Sequence, residues 1–141
     1  MEAHLMARCR SSFVAAALVS AAVLGAIACR DVARSSYPSQ ITAGELAKRV
    51  RTHSAPLILD VRSPAEYAAG HVPGAFNIPD TQLAGRLGEL GVDKSDEVVV
   101  YCLGGQRAAQ AERVLAKAGY THVLNLEGQM RGWQQRGYPV E

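Results

Sequence analysis

Residues 98–119 read VVVYCLGGQRAAQAERVLAKAG. A run of β-branched residues leads into Cys102, two glycines follow, and an amphipathic stretch begins near Arg107. The first part has the composition of a buried strand, and the last predicts a helix over Arg107 to Ala118, stopped by Gly119. Strand, tight loop and helix in that order form the β–α unit of a parallel sheet. The order also sets a thiol where a helix amino terminus lends partial positive charge and N–H groups without intrahelical partners. Both favour an anion, so the Cys102 pKa is expected below the free value of about 8.5. Gly104 and Gly105 open backbone angles closed to other residues, which lets loop amides converge on the sulfur or on its cargo.

A cysteine at a strand end can also be a small buried hydrophobe. Arg107 weighs against that reading. Its guanidinium is permanently charged and presents a fork of donors, which suits an anionic ligand better than a packed interior. The candidate site is therefore Cys102 as nucleophile, with Leu103, Gly104, Gly105, Gln106 and Arg107 as the loop that binds substrate.

The rest of the chain extends the alternation. Thr42 and Glu45 form a capping-box signature, opening a helix over Ala43 to Arg51. LILDV, 57–61, is apolar enough for a strand covered on both faces. Ser63-Pro64 starts a short helix through Ala69, and Gly70 stops it. FNI at 76–78 predicts a brief strand, and Thr81 to Leu90 a helix ended by Gly91. VLNL at 123–126 predicts the last strand, and Gln129 to Arg136 a final helix. The fold class is α/β, a small parallel sheet sandwiched between helices. Ligands in such sheets gather at the carboxyl ends of strands, where Cys102, Asp60 and Gly128 all fall.

At those strand ends Asp60 is read either as a brace for the active loop's amides or as a turn carboxylate. Arg62 supports the same region and is expected to pair with Glu66, four residues on. Tyr67 and Trp133 read as aromatics of the core or pocket wall, and His71, in GHVPGA, as a structural hydrogen-bonding residue.

With these blocks in place, the chain resembles the rhodanese family of sulfurtransferase domains, whose active loop reads Cys, four residues, then Arg. CLGGQR fits that frame, and the likeness runs from about Ile41 to Glu141. LILDVRSPAEYAAGHVPGAFNIP, 57–79, is similar to the family's first signature, and LEGQMRGWQQRGYPV, 126–140, to its carboxyl-terminal ending. The resemblance implies a single-domain sulfurtransferase. It takes a sulfane sulfur from a donor such as thiosulfate onto Cys102 as a persulfide and passes it to cyanide or a thiol. The acceptor is a small molecule or a thioredoxin-like protein, no cofactor is needed, and a monomer suffices. Two alternatives belong to other classes: a persulfide carrier or docking module, and a phosphatase or arsenate reductase, whose loop holds one more residue. The chain departs from the usual family pattern at Leu103, where a basic residue is common, at Ala108, where a hydroxyl is common, and at Gln129, where a second glycine is usual. One fewer cation implies a less charged sulfur donor.

The amino terminus carries Arg8 and Arg10, then FVAAALVSAAVLGAIA at 13–28, then Cys29. A membrane span needs about 20 apolar residues, so this run suits a signal-peptide core. The expected organisation is a signal peptide at 1–28, a polar tether at 29–40 and the domain at 41–141. Small residues before Cys29 resemble a lipoprotein cleavage site, with Ala26 where leucine is usual. Lipidation of Cys29, simple cleavage and a retained anchor all export the domain, implying a periplasmic protein held at the membrane if Cys29 is acylated. Cys102 is then the one free thiol, with no disulfide framework. His53, His71, His122 and Cys102 lack the spacing of metal ligands. Leaving out Glu2, Arg8 and Arg10, thirteen Lys or Arg face twelve Asp or Glu, so no polyanion-binding field exists and nucleic acid is excluded as a partner.

Overall fold

A computed structural model describes residues 39–141. The expected signal peptide, Cys29 and most of the tether lie outside the described residues. Five parallel strands form one sheet in the order β1-β5-β4-β2-β3. They are β1 (Gln40–Ile41), β2 (Leu57–Asp60), β3 (Phe76–Asn77), β4 (Glu97–Tyr101) and β5 (His122–Leu126). The helices are α1 (Ala43–Arg51), α2 (Pro64–Ala68), α3 (Asp80–Arg86), α4 (Gln106–Lys117) and α5 (Gln129–Gln135). The α/β class and parallel sheet read from the sequence are both present.

The two-residue period of the strands divides the core. Val98 and Val100 of β4, with Leu59 of β2, pack against α3 and α4 through Leu83, Ala108, Ala111 and Leu115. Val99 and Tyr101, with Ile58, pack on the other face against Leu46 of α1 and Met130 and Trp133 of α5. Residues 98–101 of the central strand are wholly inaccessible, which explains why β4 reads as a continuous apolar run. Each fully buried aliphatic side chain contributes roughly 1.5–3 kcal/mol.

Three local expectations change. Strand β1 was not foreseen from the sequence, and it takes up Gln40, the last residue of the segment read as tether. The helix expected over 81–90 is α3 followed by a 3-10 turn at Leu87–Leu90. Gly85 and Gly88 account for the break, since each costs a helix about 1 kcal/mol relative to alanine. The complete capping box lies at Ser63 and Glu66, not at Thr42. Thr42 Oγ1 does accept the Glu45 N–H at 3.1 Å, but the Glu45 carboxylate turns to Arg49 Nε at 3.0 Å.

Candidate active site

Cys102 is the residue immediately after β4, and all of its polar atoms are engaged. Its Sγ accepts the Gly105 N–H at 3.0 Å. Its own N–H donates to Gln129 Oε1 at 2.8 Å, and its carbonyl accepts the Met130 N–H at 3.0 Å. The residue is only 2% accessible, yet it lines a surface cavity of about 430 Å³ together with Leu103, Gly104, Gln106, Arg107 and Arg131. Cys102 thus belongs both to the core cluster beneath α4 and to the lining of an open pocket.

The loop geometry revises the role of its two glycines. Gly105 has φ 106° and caps α4, a conformation that a side chain disfavours. Gly104 does not adopt positive φ, so the expected left-handed freedom is used at Gly105 alone. Gln106 and Arg107 are the first two residues of α4, where N–H groups have no intrahelical acceptor.

Arg107, read from the sequence as a guanidinium suited to an anionic ligand, is paired with a carboxylate of the chain itself. Its Nη1 and Nη2 donate to the two carboxylate oxygens of Glu66 at 2.7 and 2.8 Å. Glu66 also accepts from the Ser63 N–H and hydroxyl, at 3.0 and 2.9 Å. The Arg107 guanidinium, aided by Ser63, holds the Glu66 carboxyl down to about 2, while Glu66 raises the Arg107 pKa further. Glu66 is thus ionised at any physiological pH, and Arg107 is matched by it.

The expected pair of Arg62 with Glu66 is absent because Arg62 precedes the extended cap residue Ser63, outside the helix that would have aligned them. Arg62 instead grips Asp60: its N–H and Nε reach Oδ1 at 2.9 and 3.0 Å, and Nη2 reaches Oδ2 at 2.6 Å. Tyr101 Oη donates to Asp60 Oδ2 at 2.7 Å and accepts the Val72 N–H at 3.1 Å. Burial, then the Asp60 charge, pushes the Tyr101 hydroxyl well above its usual range, keeping it a donor. Desolvation opposes the charge on Arg62, but Asp60 reverses the sign and the net shift is upward. Asp60 therefore serves as a buried turn carboxylate beneath the strand ends and does not brace the amides of the active loop.

The other aromatic residues and His71 stand apart from the cavity. Trp133 is wholly buried and donates to the Pro139 carbonyl at 2.8 Å, and Tyr67 donates to the Ala75 carbonyl at 2.7 Å. His71 stacks on Tyr67 with centroids 3.7 Å apart, and its Nδ1 meets the Tyr67 carbonyl at 3.0 Å, a structural role.

Two residues of the site escaped the sequence reading. Gln129 sits at φ 56°, where glycine is the easier residue, and its Nε2 donates to the Leu126 carbonyl at 2.6 Å and to Asn125 Oδ1. Arg131 brings a second guanidinium to the cavity. The available signal was Gln129 itself, a side chain standing where glycine is usual, directly after a strand end.

A family model for the rhodanese-like domain matches residues 42–136. The chain is 35% identical over 102 residues to a sulfurtransferase of Allochromatium vinosum, covering 72% of this chain and 94% of that protein. It is 44% identical over 70 residues to the thiosulfate sulfurtransferase PspE of Escherichia coli, covering 50% of this chain and 67% of that one. Among solved structures, the Alr3790 protein from Anabaena superposes with a TM-score of 0.65 at 34% identity, covering 72% of this chain and 81% of that one. A Cys102-centred loop between β4 and α4, in a parallel sheet of this topology and with these relatives, places the chain in the rhodanese-like domain family.

Proposed function

We propose that this protein is a sulfurtransferase that carries sulfane sulfur on Cys102. The observation that carries the proposal is the Gly105 N–H directed at Sγ at 3.0 Å, in a residue that lines an open cavity. An amide aimed at sulfur stabilises a thiolate before reaction and the terminal persulfide sulfur after it, as preorganised donors do elsewhere. The Cys102 thiolate attacks the outer sulfur of thiosulfate. A new S–S bond forms, the bond from that sulfur to the sulfonate breaks, and its electron pair leaves with sulfite. A thiolate acceptor then attacks the outer persulfide sulfur and returns Cys102 as thiolate. Charge and atoms balance in both steps, and the covalent intermediate predicts ping-pong kinetics.

The acceptor is a thiol, either of a small molecule or of a thioredoxin-like protein, and the domain works as a monomer. The apolar run at 13–28 followed by Cys29 supports export to the periplasm, with a lipid on Cys29 holding the domain at the membrane. Globomycin-sensitive processing and palmitate labelling that is lost in Cys29→Ala test that placement; normal processing without label would refute the anchor.

The decisive test of chemistry is intact-protein mass spectrometry after incubation with thiosulfate. A gain of one sulfur atom, removable by cyanide and absent in Cys102→Ser, is the expected result. Phosphate release from an aryl phosphate with no such gain would replace the proposal with phosphatase chemistry. Persulfide that forms but passes to no thiol would reduce the protein to a carrier.

A further inference from the structure

Two guanidiniums line the Cys102 cavity, and they are not equivalent. Both Nη atoms of Arg107 are taken up by Glu66, so that pair brings no net charge to the pocket. Arg131 makes no ion pair among the described residues. Its position is set by a docked segment: the Met130 and Arg131 N–H groups donate to the carbonyls of Cys102 and Leu103 at 3.0 and 3.3 Å, and Gln129 Oε1 holds the Cys102 N–H. The first residues of α5 are thereby fastened to the active loop. The Arg131 guanidinium overlies it, and a methyl group built on Gly104 would lie 3.7 Å from Nη1.

We propose that Arg131 is the side chain that recognises the anionic sulfonate end of the sulfur donor. The proposal rests on the sulfur-transfer reading and names the residue that selects an oxyanion-bearing donor. Leu103 offers no charge beside the nucleophile, so a cation for the donor has to come from elsewhere, and α5 supplies it. Three negative charges converge when the Cys102 thiolate meets thiosulfate dianion, and two remain on the departing sulfite. An unmatched guanidinium with paired donors fits that oxyanion and assists its departure. This reverses the preference for a less charged donor that Leu103 suggests when considered alone.

The test compares two donors on the full-length protein: thiosulfate, and 2-hydroxyethyl hydropersulfide, which carries no oxyanion. In Arg131→Gln, kcat/KM for thiosulfate is expected to fall by about tenfold or more, the loss of one charge-assisted contact, while the hydropersulfide value stays within about twofold. Arg131→Lys should recover part of the loss, and the salt sensitivity of the thiosulfate KM should flatten in Arg131→Gln. Equal loss with both donors would mean that Arg131 merely supports the fold. No change with either would mean that it is idle, and both results overturn the proposal. A wild-type protein that accepts sulfur from the hydropersulfide but not from thiosulfate overturns the Arg131 assignment and leaves sulfur transfer standing. One that accepts sulfur from neither overturns both.

Discussion

Arg107 and Glu66, 41 residues apart, form a two-pronged ion pair at 2.7 and 2.8 Å that ties α4 to α2. The Glu66 carboxyl also completes the capping box of α2, so one carboxylate secures two elements. Its folded pKa, about 2, lies below the usual 4.5. A depressed carboxylate stabilises the fold fully above pH 4.5, and that contribution disappears as the pH falls toward 2. Both side chains are about a third exposed, so screening reduces the contribution to about 1–2 kcal/mol. Urea unfolding of Glu66→Gln should show that deficit at pH 7, and the gap to wild type should narrow steadily from pH 4.5 downward.

The two loop glycines should respond differently to alanine. At Gly105 a methyl group would meet Gln129 Cγ at 3.8 Å, an ordinary contact, so the cost lies in the backbone at φ 106°. Strain of that kind amounts to about 1–3 kcal/mol. Gly105→Ala should lower stability by that amount and slow sulfur loading, because the amide that faces Sγ shifts. Gly104→Ala has neither problem and should lose less stability in the same unfolding assay.

Asp60 is inaccessible and its partner Arg62 is 4% exposed, so removing the acid leaves a buried guanidinium without its counter-charge. Asp60→Ala should cost about 3–5 kcal/mol in chemical denaturation. Tyr101→Phe deprives the Val72 N–H and Asp60 of a partner and should cost about 1–3 kcal/mol. At a temperature where Tyr101→Phe remains folded, its rate of persulfide formation should match wild type, since the network sits beneath the strand ends and touches neither Sγ nor the loop amides.

Gln129→Ala retains the strained φ of 56° while leaving the Cys102 N–H without its acceptor. A loss of about 1–3 kcal/mol is expected from the buried orphan donor. Gln129→Gly relieves the backbone strain and should recover part of the stability. Differential scanning calorimetry of the pair separates the two contributions, and equal melting temperatures would show that the backbone strain is negligible.

Much of the architecture was legible because its signals are local. The valine run of β4, the Ser63-Pro64 start of α2, and the glycines that end helices each act within a few residues, where φ preferences and hydrophobic period operate. The Ser63 and Glu66 box carries the same local signal as Thr42 and Glu45. Only the former closed on both sides, since at Thr42 the Glu45 carboxylate turned to Arg49. Strand β1 gave no such signal: two residues cannot establish a period, and it exists because β5 offers it an edge.

From its sequence alone the chain determined an alternating α/β fold and a cysteine set between a buried strand and a helix, because composition and spacing act over short stretches. Tertiary structure decided which charges meet. It gave Arg62 to Asp60 and Arg107 to Glu66, and it brought Gln129 and Arg131 to Cys102 from 27 and 29 positions away. Those pairings follow from the parallel register of β2, β4 and β5, which delivers the residues after all three strands to the same end of the sheet.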